Sequence, residues 1–184
     1  MQKTALSTRL VRQGWIAPTA MALLITLLLF DPLHDSIGQH MSESIAASWW
    51  SAIAIRILPC VMGASIVLFG FGCIGKGRGW SWTGLAAILF GAAMISAGIV
   101  PTGSPLHGLY GMAVFSIFVP AFFVAEFPVS KTMRQVSLAA SFLGLIYMWP
   151  LFIGLDPPDY RGLTQRLSTV VSFGWFAFAA RAKI

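Results

Sequence analysis

Pro101-Thr102-Gly103-Ser104-Pro105-Leu106-His107-Gly108-Leu109-Tyr110 is the stretch that decides how this chain is read. Proline lacks the backbone N–H and crowds the preceding turn, and glycine adopts conformations closed to other residues, so Pro101, Gly103, Pro105 and Gly108 together interrupt any helix. Trp82–Val100 before the break and Leu106–Ala125 around and after it are apolar runs. The stretch is therefore read as a turn between two apolar helices, and it brings His107 to one end of them.

Outward from this break the same alternation of apolar run and polar interruption covers the chain. The runs are expected to form helices over residues 14–30, 51–74, 82–100, 106–125, 136–154 and 163–180, each near the roughly 20 residues that cross a bilayer core. The 184 residues are 57% hydrophobic and 10% charged, with a mean hydropathy of +0.80. Soluble domains average roughly 45–50% apolar and about 25% charged. So few charges do not cover the surface of a soluble domain, and lipid is the expected solvent. The fold class expected is all-α: a polytopic integral membrane protein, one six-transmembrane-helix bundle over residues 1–184, multi-pass in the cell membrane.

Met1–Gln13, with Lys3, Arg9 and Arg12, looks like the start of a signal peptide. The apolar run ends in Asp31-Pro32 rather than a small-residue cleavage site, so an uncleaved first helix is expected. Ser42 to Trp50 reads as a short surface helix ending in the aromatic anchor Trp49-Trp50. His34 and His40 have no recognised metal spacing and read as solvated. Cys60 and Cys73 lie too far apart on one helix to pair, and read as small buried apolar side chains. On the third helix, Ala87 with Gly91 and Ala93 with Ala97 form small-xxx-small pairs that allow close helix approach.

Charge assigns the sides. With six spans, Lys3, Arg9, Arg12, Lys76, Arg78, Lys131, Arg134, Arg181 and Lys183 share one face with both termini, which makes that face cytoplasmic. The opposite face receives Asp31, Asp35, Glu43, Asp156, Asp159 and all three histidines. The net charge of +6 is thus a topology signal and not a nucleic-acid footprint.

The remaining basic residues, Arg56, Arg161 and Arg166, fall at or inside apolar segments, where an arginine costs roughly 2.5–3.5 kcal/mol and calls for a partner or a function. Arg161, Gln165, Ser168 or Thr169, and Ser172 form a polar stripe on the sixth helix, for interhelical hydrogen bonding or for lining a cavity. His107, Tyr110, Gly111 and Val114 are placed on one face of the fourth helix. Together Arg56, His107, Tyr110, Asp156, Asp159, Arg161, Gln165 and Arg166 are candidates for a ligand-binding group at the extracytoplasmic mouth, with His107 and Arg166 in one cavity. Arginine forks suit a carboxylate or an anionic headgroup. The alternative is a structural clasp in which Asp156 and Asp159 satisfy Arg161 and Arg166.

Two stretches carry a family resemblance. Ile99-Val100-Pro101-Thr102 followed by His107-Gly108-Leu109-Tyr110, and Gly162-Leu163-Thr164-Gln165-Arg166-Leu167 ahead of Trp175-Phe176, resemble the DUF998 family of six-helix bacterial and archaeal membrane proteins. The resemblance covers most of the chain. It implies six spans, with His107 and Arg166 as the matching polar positions, and it supplies no reaction. The family often shows an aspartate where this chain has Gly103, which weakens an acid–base role for His107.

The leading functional reading is a non-enzymatic protein that binds a lipid, quinone-like or other amphipathic or anionic ligand. The second is a membrane-embedded hydrolase or transferase with His107 as general base and Asp156 or Asp159 as its partner. The third is a structural or accessory subunit in a homo- or hetero-oligomer. The chain lacks the HExxH zinc pair, the Gly-x-Ser-x-Gly elbow and the phosphate loop, and its residues name no cofactor and no metal site.

Overall fold

Where the apolar runs meet prolines, glycines and charges, a computed structural model shows the chain turning back on itself. It describes residues 2–46, 48–77, 79–109, 111–152, 155 and 157–184. Among these, every regular element is helical. Helix α1 (Gln2–Arg12) continues through a one-turn 3-10 segment, Gln13–Trp15, into α2 (Ile16–Leu29), so the two make one rod. Then follow α3 (Trp49–Lys76), α4 (Trp82–Ile99), α5 (Phe115–Glu126, entered through the 3-10 turn Met112–Val114), α6 (Lys131–Phe152) and α7 (Arg161–Ala179). Ala5–Leu29, Trp49–Lys76 and Trp82–Ile99 are long and apolar enough to cross a membrane, and Met112–Glu126 is apolar but shorter.

Two expectations give way here. The fourth apolar helix does not start at Leu106: the chain takes positive φ at Gly108 (71°), Leu109 (49°) and Gly111 (85°), and such residues cannot continue a right-handed helix. His107 consequently sits on a turn, and the helical face expected to carry it does not exist there. Tyr110 lies outside the described residues. Likewise, Ser42–Trp50 is not one surface helix but the 3-10 turn Met41–Ala46 followed by the start of α3.

Helices α3 and α4 form the most intimate pair. A Cβ on Gly63 would stand 2.4 Å from the Gly91 carbonyl oxygen, one on Gly70 would stand 2.7 Å from that of Gly84, and one on Gly98 would stand 2.5 Å from that of Arg56. Gly84, Gly91 and Gly98 recur every two turns and share one face, so the backbones touch along the helix. The close approach thus runs through these glycines, with only Gly91 shared with the small pairs read from sequence.

At one end of the bundle, Gly75 packs against Ser7, the Lys76 ammonium donates to the Ile184 carbonyl (2.7 Å), and Ser81 Oγ donates to Glu126 (2.8 Å). Both chain ends and the 75–82 and 126–131 turns therefore lie together. Glu126 Oε1 also accepts from the Trp82 N–H (2.6 Å), so one carboxylate covers the open N–H groups at the start of α4. Above this end lies an aromatic core: Trp175 packs edge-on to Phe69, Phe123 and Phe176, with centroids 5.0–6.0 Å away, and its Nε1 donates to Ser137 Oγ (2.8 Å). Such pairs add about 0.5–1.5 kcal/mol each beyond burial.

Candidate functional site

The opposite end is closed by residues 31–48. Asp31 accepts from the Leu33 N–H (3.0 Å) and Asp35 from the Ile37 N–H (3.0 Å), the side-chain-to-backbone turns that these residues favour. Burial alone would raise the Asp31 carboxyl, but hydrogen bonds from Ser51, Leu33 and Ser48 overcome it and lower its pKa to about 2. It accepts from both the N–H (3.1 Å) and the Oγ (2.8 Å) of Ser48, which ties the loop to the start of α3. Asp35 is held low chiefly by the N–H groups of Gly38 and Ile37.

The first turns of α7 grip this loop. Arg166, buried at 6% exposure, donates from Nη1 to the carbonyls of Ser36 (2.5 Å), Gln39 (3.3 Å) and Gly162 (2.8 Å), while its Nη2 lies 2.5 Å from His34 Nε2. Since Arg166 has only donors, His34 Nε2 must be the acceptor. Burial, and next the Arg166 charge, lower the His34 pKa below its ordinary 6.5, and its neutral form is what this bond needs. Arg161 donates from Nε to the Gly38 carbonyl (2.9 Å) and pairs with Glu43 at 3.2 Å. Leu163 N–H donates to the Ile37 carbonyl (3.0 Å), and Gln165 Oε1 accepts from the Met41 N–H (2.8 Å). A Cβ on Gly162 would meet the Gln39 carbonyl oxygen at 2.2 Å, so only glycine lets the loop lie this close.

Beneath this lid is a cavity of 370 Å³, within the roughly 300–1,000 Å³ range of small-molecule sites. Its lower wall is mostly apolar: Met21 and Leu24 from α2, Phe90 and Met94 from α4, and Phe173 from α7, with Ser172 beside it. Its upper wall holds Arg56, His107, Gln165, Ser168 and Thr169, under a roof of His40–Ser42 and Val100–Thr102. Thr102 Oγ1 donates to the Ser42 carbonyl (2.7 Å), joining the two roof segments.

The polar residues of the wall are only partly used. His107 Nδ1 lies 2.8 Å from the Val100 carbonyl oxygen. A carbonyl only accepts, so Nδ1 carries a proton, and in the neutral ring the free lone pair is on Nε2. Gln165 spends its oxygen on the loop and keeps its two N–H donors. Ser168 and Thr169 donate to the carbonyls of Gln165 and Arg166 (3.1 and 2.9 Å). Arg56 makes no ion pair or hydrogen bond with the described residues.

Of the eight candidate residues, the fold therefore brings Arg56, His107 and Gln165 to one cavity. Arg166 is turned away, under the lid, because its fork finds loop carbonyls and His34 there; it does not share the cavity with His107. Arg161 takes Glu43 in place of the expected aspartate, and Asp159 is exposed on the 157–160 turn without an ion pair among the described residues. Asp156 lies outside the described residues. His34, read as solvated, is instead buried at 7% exposure. Sequence reasoning missed His34, Glu43 and Met41 as partners of α7, and the position of His34 between the turn-forming Asp31 and Asp35 was the one local signal available. Among the described residues no three His, Cys, Asp or Glu side chains cluster as metal ligands, and Cys60 and Cys73 are free thiols.

An all-helical bundle with three helices apolar enough to span a membrane, closed at one end by a loop over a mostly apolar cavity, defines the class of this protein. The chain belongs to the DUF998 family, whose description is "Protein of unknown function (DUF998)", and the family matches residues 14–182. No curated protein and no solved structure matches the chain.

Proposed function

We propose that this chain spans the cytoplasmic membrane six times with both termini in the cytoplasm, and takes one amphipathic molecule into its cavity from the extracytoplasmic leaflet. The observation that carries the reading is the cavity wall: apolar below, with Arg56, His107 and Gln165 holding unused bonding capacity above. An amphiphile matches that polarity, tail toward Phe90 and Phe173 and head under the lid. Six spans are supported by the outward faces of α6 and α7, where Leu138, Phe142, Leu145, Ile146, Leu167, Val170 and Phe178 are exposed and lipid would cover them. The orientation is supported by the basic residues gathered with both chain ends.

Native mass spectrometry of the full chain, purified in mild detergent, tests the binding. One bound amphiphile per chain is expected, retained in a control variant Gly174→Ala and depleted in Arg56→Ala. A chain that carries none and captures none from added fatty acid, lysophospholipid, quinol and prenyl phosphate would end the reading.

A further inference from the structure

We propose that the ligand of this cavity is a lipid phosphate monoester with a single hydrocarbon chain, an inference that rests on the amphiphile-binding reading above. The argument starts from what each wall residue still has to offer. His107 is held by the Val100 carbonyl through Nδ1 and presents an acceptor at Nε2. Gln165 has its oxygen tied to the Met41 N–H and presents donors. Arg56 presents a positive charge and a fork of donors. The three groups belong to one wall: the Arg56 carbonyl abuts Gly98, on the turn of chain that leads to Val100 and hence to His107.

A matching head must be anionic, must accept from Arg56 and Gln165, and must also give a proton to His107. A carboxylate ionised near neutral pH brings no proton of its own, so it meets Nε2 only after the ring draws one from solvent. A phosphodiester has no proton on phosphorus oxygen, and a glycerophospholipid with two chains is larger than the small molecules that a cavity of 370 Å³ takes. A quinone only accepts, while a quinol donates but brings no charge to Arg56. A phosphate monoester meets all three conditions. It has three acceptor oxygens and a second pKa of about 6. As the monoanion its P–O–H donates to Nε2; as the dianion, with that proton moved to Nε2, the imidazolium donates back to the oxygen. One proton is shared in both forms and the hydrogen bond persists. Arg56 then faces a phosphate through parallel charge-assisted bonds. The single chain follows Met21, Leu24, Met94 and Phe173 downward.

The test compares dodecyl phosphate, its monomethyl ester, dodecanoate and a decyl-substituted quinol, by calorimetric titration of the full chain in non-ionic micelles. Dodecyl phosphate is expected to bind at least about tenfold more tightly than the ester or dodecanoate, since only it brings the proton that it shares with Nε2. His107→Ala should bring that ratio close to one with little change for the ester, and Arg56→Ala should weaken all three anions. His107→Gln serves if His107→Ala melts early. Farnesyl phosphate against a lysophosphatidic acid then tells a prenyl source from an acylglycerol source. Equal binding of the three anions, tightest binding of the quinol, or a His107 variant that keeps the full preference overturns the inference while leaving the amphiphile reading standing. If no probe binds, the amphiphile reading itself falls.

Discussion

Arg166 Nη2 and His34 Nε2 meet at 2.5 Å across 132 positions of sequence, and this contact holds the loop of residues 31–48 onto the bundle. It works only while the imidazole is neutral, because a protonated ring would have no lone pair and would place a cation against the guanidinium. The His34 pKa is lowered, so the unfolded chain binds the proton more readily than the folded one between the two pKa values. Stability then rises with pH through that interval. The His34 contribution is complete above the ordinary value of 6.5 and is lost as pH falls below it. Melting temperature is expected to drop between pH 7.5 and 5.5, and to drop less in His34→Gln. Asp31, at about 2, stays ionised throughout and does not contribute to that slope.

Removing Arg166 takes a donor from the Ser36 and Gln39 carbonyls and from the His34 ring at once. Hydrogen bonds to charged groups contribute about 1.5–3 kcal/mol each, not additively, so Arg166→Ala is expected to cost about 3 kcal/mol and to raise hydrogen exchange at residues 36–41 above all. Arg166→Lys should recover only part of this, since an ammonium cannot reproduce the fork. Exchange measured by mass spectrometry on intact protein checks both. Uniform destabilisation without a local rise at 36–41 would contradict the latch.

The glycine face of α4 makes a graded series. Gly91→Ala puts a methyl 2.6 Å from the Gly63 carbonyl oxygen, whereas Gly144→Ala meets only an Ile117 side-chain atom at 3.3 Å and Gly174→Ala meets nothing within 4 Å. Gly91→Ala should destabilise by about 1–3 kcal/mol through overpacking. Gly174→Ala should stabilise by about 0.5–1 kcal/mol through helix propensity. Gly144→Ala should fall between them, as read by thermal unfolding in one detergent.

Glu126 caps α4 from another helix, accepting from Trp82 N–H, Thr83 N–H and Ser81 Oγ. Glu126→Ala is expected to cost about 1–2 kcal/mol, as the loss of a good helix cap does. Glu126→Gln should cost less, because its amide oxygen still accepts. Fraying of residues 82–85 in hydrogen exchange is the local readout.

The orientation is open to cysteine labelling in whole cells, on a background lacking Cys60 and Cys73. A cysteine at Gly103 should react with an impermeant maleimide added from outside, and one at Gly79 should not. The reverse pattern would invert the proposed sides.

The apolar runs and their breaks were legible because helix-breaking and apolar patterning act locally: Pro101, Gly103 and Gly108 end a helix whatever surrounds them. The starting residue of the next helix was not, since the positive φ at Leu109 depends on how the turn is held, with the Ser96 hydroxyl donating to the Leu106 carbonyl (2.5 Å). Arg166 stood out in the sequence for a sound reason, the cost of a guanidinium among apolar residues. Its use is not legible there, because both a lid latch and a ligand site demand a buried arginine, and only the path of residues 34–39 separates them.

The sequence by itself determined that this is an all-helical, strongly apolar chain of the DUF998 family, with its basic residues gathered at the ends of particular helices, since composition and periodicity are sums over neighbours. Tertiary structure alone decided that α3 and α4 meet through Gly63, Gly70, Gly84, Gly91 and Gly98, that Arg166 belongs to the lid, and that Arg56, His107 and Gln165 share the cavity. The reason is that a donor satisfied by one carbonyl is unavailable to a ligand. Which carbonyl satisfies it is settled by chain closure over more than a hundred residues, and not by any local preference.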